Sequence, residues 1–188
     1  MKIILLISTL FTLTAFTVTD KKTLDEIPDK SYHPIVLGQK LTYRADLSIY
    51  SMTFDSLPTV INGLTYIKCT TAYETGQSIS YYRQDGNRVL YTKSGQTTET
   101  VEIPENPEAG LVWYESDSTW KYTVIAVKET LETPEANYIN CLVIQSENIN
   151  PNANPGHYQL YLQYFQRGRG YIGTKLGGLL YSFVTIEN

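Results

Sequence analysis

The chain has 188 residues, 18% of them charged, and a formal net charge of −4. That length suits a single domain with a substantial core, and the mild acidity argues against a phosphate-binding face for nucleic acid or an electrostatic attraction to anionic lipid. The 16 tyrosines suit either half-buried β-strands, where the ring packs and the hydroxyl finds a partner, or a tyrosine-lined ligand surface.

In chain order, Lys2 precedes the apolar run Ile3–Phe16, the pattern of a secretory signal peptide. The run is short for a membrane-spanning helix, which needs about 20 apolar residues, and charges interrupt every later apolar stretch. Residues 1–19 are read as the signal. Their removal loses one base and no acid, taking the charge from −4 to −5. The expectation is an exported protein, periplasmic or extracellular, with no transmembrane segment in the mature chain. Residues 20–38 are charged, carry Pro28 and Pro34, and read as an N-terminal arm over the surface. The β-domain is placed at 39–188.

Leu41–Ile49 alternates, with Leu41, Tyr43, Ala45, Leu47 and Ile49 on one face and Arg44, Asp46 and Ser48 on the other, as in one strand with one wet side. Asn62-Gly63 and Asp85-Gly86-Asn87 are hairpin turn signals, and Ser94-Gly95 marks a further turn. Leu64–Tyr73, Ile79–Gln84, Arg88–Lys93 and Thr97–Ile103 read as strands around them. Pro104–Gly110 is a loop and the natural boundary between two halves. Trp120–Val127 and Tyr138–Ser146 follow as strands, and Asn150–Gly156 is a turn-rich loop. The glycine-rich stretch Tyr158–Gly178 and the run Leu179–Ile186 supply the last strands. No dozen-residue window has helical period and caps.

Tyr66-Ile-Lys-Cys69 matches Tyr138-Ile-Asn-Cys141, and Thr92-Lys-Ser-Gly95 matches Thr174-Lys-Leu-Gly177, in the same order. Two repeated meander halves, 39–100 and 118–186, account for these matches; β-sequence rich in Tyr, Thr and Gly is the alternative source. The predicted fold is all-β, a strongly curved antiparallel sheet or open β-barrel, with a β-sandwich as the alternative.

Cys69 and Cys141 are the only cysteines, and in an exported chain an even count suggests a disulfide; two separate buried thiols fit equally. His33 and His157 stand in no triad or metal spacing and read as loop histidines, with no metal or cofactor implied. Glu99/Glu102 and Glu129/Glu132 read as solvated positions. Gly168, Gly170 and Gly173 have β-sequence on both sides, so they suit a hairpin, bulge or bend rather than a nucleotide loop. Arg167 and Arg169 flank that turn, as solvated charges or as a grip for an anion.

Tyr164-Phe-Gln-Arg-Gly-Arg-Gly-Tyr-Ile-Gly173 together with Tyr138-Ile-Asn-Cys-Leu-Val-Ile144 resembles a broad group of exported, β-rich proteins of the Gram-negative envelope. The likeness spans roughly residues 39–186. It implies an envelope location and a curved antiparallel β-fold, and it carries no assigned catalytic residues.

The function expected from these readings is non-enzymatic: binding a hydrophobic or amphipathic, lipid-like small molecule on a concave β-surface. Trp113, Tyr114 and Trp120 are the candidates for its rim, or else for a plug in the barrel end. A structural protein that meets another envelope protein through edge strands or loops is the alternative.

Overall fold

A computed structural model describes residues 21–28, 30–152 and 159–186. The signal segment 1–19, His157 and most of the Asn150–Gly156 loop lie outside these residues. Every regular element among them is a strand. The first half supplies β1 (Lys22–Leu24), β2 (Lys40–Ala45), β3 (Ser48–Phe54), β4 (Thr59–Ile61), β5 (Leu64–Tyr73), β6 (Gly76–Asp85), β7 (Arg88–Lys93) and β8 (Thr100–Ile103). The second half supplies β9 (Val112–Tyr114), β10 (Trp120–Glu132), β11 (Ala136–Asn148), β12 (Leu160–Gln166), β13 (Gly170–Leu176) and β14 (Leu179–Val184).

Twelve strands follow one another around a nearly closed barrel in the order β8-β7-β6-β5-β3-β2-β14-β13-β12-β11-β10-β9. All these pairings are antiparallel; β4 adds antiparallel to β5, and β1 adds parallel to β11. One sheet curls on itself, so the chain adopts the barrel and not the sandwich. Two six-stranded meanders meet where β14 pairs with β2, and the Pro104–Gly110 loop joins their free edges, β8 and β9.

Those edges form a seam held by side chains in place of a ladder. The Trp113 indole N–H donates to the Val101 carbonyl at 2.8 Å, and the Ser116 amide donates to Thr100 Oγ1 at 3.0 Å. Behind them Glu115, 2% exposed, accepts from Tyr91 at 3.1 Å and pairs with Lys93. A seam of this kind leaves fewer unpaired edge groups open to other chains.

The turns follow the sequence signals. Asn62-Gly63 has φ of 52° and 80° between paired Ile61 and Leu64, the backbone that a two-residue hairpin requires. One stretch differs from expectation: Leu41–Ile49 is a hairpin, not one strand. Asp46 adopts φ 52° and turns the chain between paired Ala45 and Ser48, leaving Leu47 97% exposed at the tip. Asp tolerates this conformation where most residues do not.

The barrel encloses a core of Phe54, Cys69, Tyr82, Tyr91, Ile103, Val124, Leu142, Ile144 and Phe165. A second cluster lies on the outer face, where Leu131, Ala136 and Tyr138 of the long β10–β11 hairpin cover Tyr164 and Ile172 with Cys141 and Val143. Gly173 permits that layering, since a Cβ there would meet the Ser182 carbonyl at 2.4 Å and Leu131 at 3.1 Å.

The two cysteines therefore stand in different cores, and both are free thiols. Of the two readings, that of two separate buried thiols holds, and the reason is local. Asn140 takes φ 59° in β11, opposite register shifts in β10, and this bulge reverses which residues face inward. Tyr66 and Ile67 precede an inward Cys69, whereas Cys141 of the matching motif points outward.

Candidate functional site: a tyrosine-lined cavity with a buried His–Glu pair

The barrel interior is not filled. A cavity of about 450 Å³ is lined by inward side chains of β2, β3, β5, β6, β8, β12, β13 and β14. Six tyrosines contribute: Tyr50, Tyr73, Tyr82, Tyr161, Tyr171 and Tyr181. Met52 and Leu176 add apolar surface, and Thr71, Gln163, Thr174 and Ser182 add small polar groups. Several of these are tied into the wall: Tyr171 and Ser182 hydroxyls meet at 2.9 Å, and Ser146 donates to Gln163 at 2.8 Å. Such ties fix ring orientation before any ligand arrives.

One end is closed by the N-terminal arm. Composition placed residues 20–38 over the surface, but Tyr32 is 6% exposed and His33 only 3%. His33 stacks on Tyr82 at 4.9 Å between ring centroids and also approaches Phe54 and Phe165, which end β3 and lie near the end of β12. Ser48, Tyr73 and Leu176 lie at the opposite strand ends, beside the β2–β3, β5–β6 and β13–β14 turns, where the cavity opens.

The turn that joins β12 to β13 holds the arm in place. Gly168 donates its amide to the Ser31 carbonyl at 2.8 Å, and Ile27 donates to the Arg167 carbonyl at 3.0 Å. Arg167 lies over the Tyr32 ring at 4.2 Å and donates to the Lys30 carbonyl, and Arg169 donates to the Asp25 carbonyl. Gly168 has φ 78°, and a Cβ there would come within 2.8 Å of Ile27. These arginines are thus neither free solvated charges nor an anion grip. They clamp the segment that carries Tyr32 and His33 into the barrel.

At this closed end His33 Nδ1 stands 3.8 Å from Glu102 Oε1, too far for a hydrogen bond, and Nδ1 is buried without a partner. Burial lowers the His33 pKa to about 4, so its ring is neutral at pH 7. Burial, then the nearby Glu115 carboxylate, raises Glu102 to about 7, partly offset by Lys93. The Glu102 side chain is 20% exposed, and that surface opens onto the cavity it lines. Both residues differ from expectation: His33 sits in a loop segment but is buried, and Glu102 faces the cavity in place of an outer solvated surface. Glu99 is engaged as well, accepting from Arg83 at 2.6 and 2.7 Å and from Tyr66 at 2.6 Å. Glu129 and Glu132 are exposed, as read from the sequence.

A neutral imidazole beside a carboxyl that titrates near neutrality can exchange a proton with a bound group or hydrogen-bond a polar head. Among the described residues no three His, Cys, Asp or Glu side chains gather to hold a metal ion. Both thiols are pushed to about 12, first by burial, which leaves them protonated.

The three aromatic residues singled out earlier lie around the cavity without lining it. Trp113 bridges the seam and stacks on Tyr122 at 5.6 Å. Tyr114 is 54% exposed on the edge strand. Trp120 backs the cavity wall, its ring edge against lining residue Tyr161 at 5.4 Å. The lining tyrosines could have been found in the sequence as the inward set of each alternating strand.

Among the described residues no helix is long and apolar enough to cross a membrane. Comparison of the chain with family models, curated proteins and solved structures gives no match.

Proposed function

We propose that this protein is an exported, non-enzymatic binding protein of the cell envelope that takes a small amphipathic molecule into its barrel. One observation carries the reading: inward side chains of eight strands leave a cavity of about 450 Å³, open at one end and closed by a tethered arm at the other. That volume falls in the range of small-molecule sites, and the lining combines broad aromatic surface with a few polar groups, His33 and Glu102 at the closed end. The apolar part of a ligand would lie against the tyrosine rings, with its polar head toward His33 and Glu102. The segment Lys2–Phe16 supports the export reading.

Native mass spectrometry on protein isolated gently from its own cells tests this. The expected result is a stoichiometric adduct, lost on denaturation and missing from a Thr71→Trp variant whose indole fills the cavity. A bare monomer, or a stable complex with another protein, would contradict it and favour the interaction reading.

A further inference from the structure

We infer that the cavity selects an organic cation, an amine or quaternary ammonium carried on an apolar tail, and seats the charge between Glu102 and the tyrosine rings. The inference rests on the cavity being the binding site and adds the chemical class of the ligand.

Three observations support it. Glu102 is the only carboxylate among the described lining residues, and no lysine or arginine lines the cavity with it. Lys93, whose charge acts on Glu102, is engaged by Glu115. Six tyrosines line the cavity, and a tyrosine ring attracts cations through the negative potential of its face.

The Glu102 carboxyl faces the cavity with no lysine or arginine among the described lining residues, so a cation entering the cavity would complete the site. His33 cannot supply the charge, because burial holds it neutral. An anionic head would meet Glu102 and the ring faces with nothing opposite. A neutral molecule would gain the apolar contact alone.

The groups facing Glu102 set its pH response. They are His33 from the arm, Cys69 of β5, Tyr82 of β6, Tyr91 and Lys93 of β7, Glu115 after β9, Tyr122 of β10 and Tyr161 of β12. Burial keeps the tyrosines and the thiol protonated, and His33 is neutral above its lowered pKa. Glu102 therefore changes charge alone near neutrality. Cation affinity should rise with pH up to about 7 and level off above it, with proton release on binding at pH 7.

Calorimetric titration of the full-length mature protein with octyltrimethylammonium, 1-octanol and octanoate at pH 6 and 8 tests the inference. The cation should bind about tenfold tighter than octanol at pH 8, with a smaller advantage at pH 6, and octanoate weakest. Glu102→Gln should bring the cation to the level of octanol and leave octanol unchanged. Tyr73→Leu, at the 52% exposed mouth position and away from Glu102, should leave the preference for the cation in place. Equal binding of cation and octanol would overturn the inference while sparing the cavity as a site, as would a preference that survives Glu102→Gln. Binding of none of the three would overturn both.

Discussion

The two buried groups at the closed end of the barrel pull folding stability in opposite directions with pH. Burial lowers the folded His33 pKa to about 4 from its ordinary 6.5, so the unfolded chain holds the extra proton between these values. Its contribution to stability is present above pH 6.5 and is lost as pH falls toward 4. Glu102 is raised from 4.5 to about 7, so the folded chain holds the extra proton between those values. Its contribution is present below 4.5 and is lost as pH rises through 7. Each slope approaches about 1.4 kcal/mol per pH unit, and from pH 4.5 to 6.5 they nearly cancel. Glu102→Gln removes one arm of this balance. The variant should gain on the wild type by roughly 3 kcal/mol between pH 4.5 and 7, because only the wild type loses stability there through Glu102. Urea unfolding followed by circular dichroism, at half-unit pH steps on both proteins, gives the difference directly; ion pairs elsewhere, such as Arg83–Glu99, cancel in it. A difference flat with pH would mean that Glu102 titrates as an ordinary carboxylate. A difference that shrinks as pH rises would mean that the fold favours the ionised Glu102 carboxylate, and would refute its raised pKa.

Further outcomes follow from the arm, the outer layer, the seam and the thiols. Gly168→Ala places a methyl at positive φ and within 2.8 Å of Ile27, so it should cost about 2 kcal/mol and speed proteolysis of the arm under native conditions. Gly173→Ala should cost at least as much, since the obstructing atom is the Ser182 carbonyl oxygen of the paired strand. Thermal unfolding would measure both. Trp113→Phe keeps the ring but leaves the Val101 carbonyl without its donor, at an expected cost of about 1–2 kcal/mol by urea unfolding. Cys69 and Cys141 should resist a thiol reagent in the folded protein and yield two thiols on denaturation without reductant.

Much of the wall was legible in the sequence because barrels repeat a short grammar. Asn62-Gly63 and Gly86-Asn87 sit at the turns they signal, and alternation along β5, β6 and β12 names the inward residues. Leu41–Ile49 misled because the apolar alternation runs on through Asp46 in the sequence, whereas the two-residue turn switches the inward set from Ala45 to Ser48, Tyr50 and Met52 and leaves Ile49 outward beside Arg44. Cys141 misled for the converse reason, since one left-handed residue at Asn140 changes the facing of a motif otherwise like that around Cys69. The site was hidden for another reason. A polar residue inside a hollow barrel reads like one on a wet outer face, so Glu102 between Val101 and Ile103 resembled a solvated position. The aromatic Tyr32-His33 in a charged arm was the available signal, and its meaning depended on Arg167 and Gly168, more than 130 residues away.

The central claim is that the tyrosine-lined hollow accepts a guest in solution. Titration with the neutral dye N-phenyl-1-naphthylamine, which fluoresces in apolar surroundings, tests it on wild type and Thr71→Trp side by side. Saturable one-to-one binding to the wild type, at least tenfold weaker in the folded variant, is the predicted result. No saturable binding to the wild type, or equal binding by a folded Thr71→Trp protein, would contradict the account.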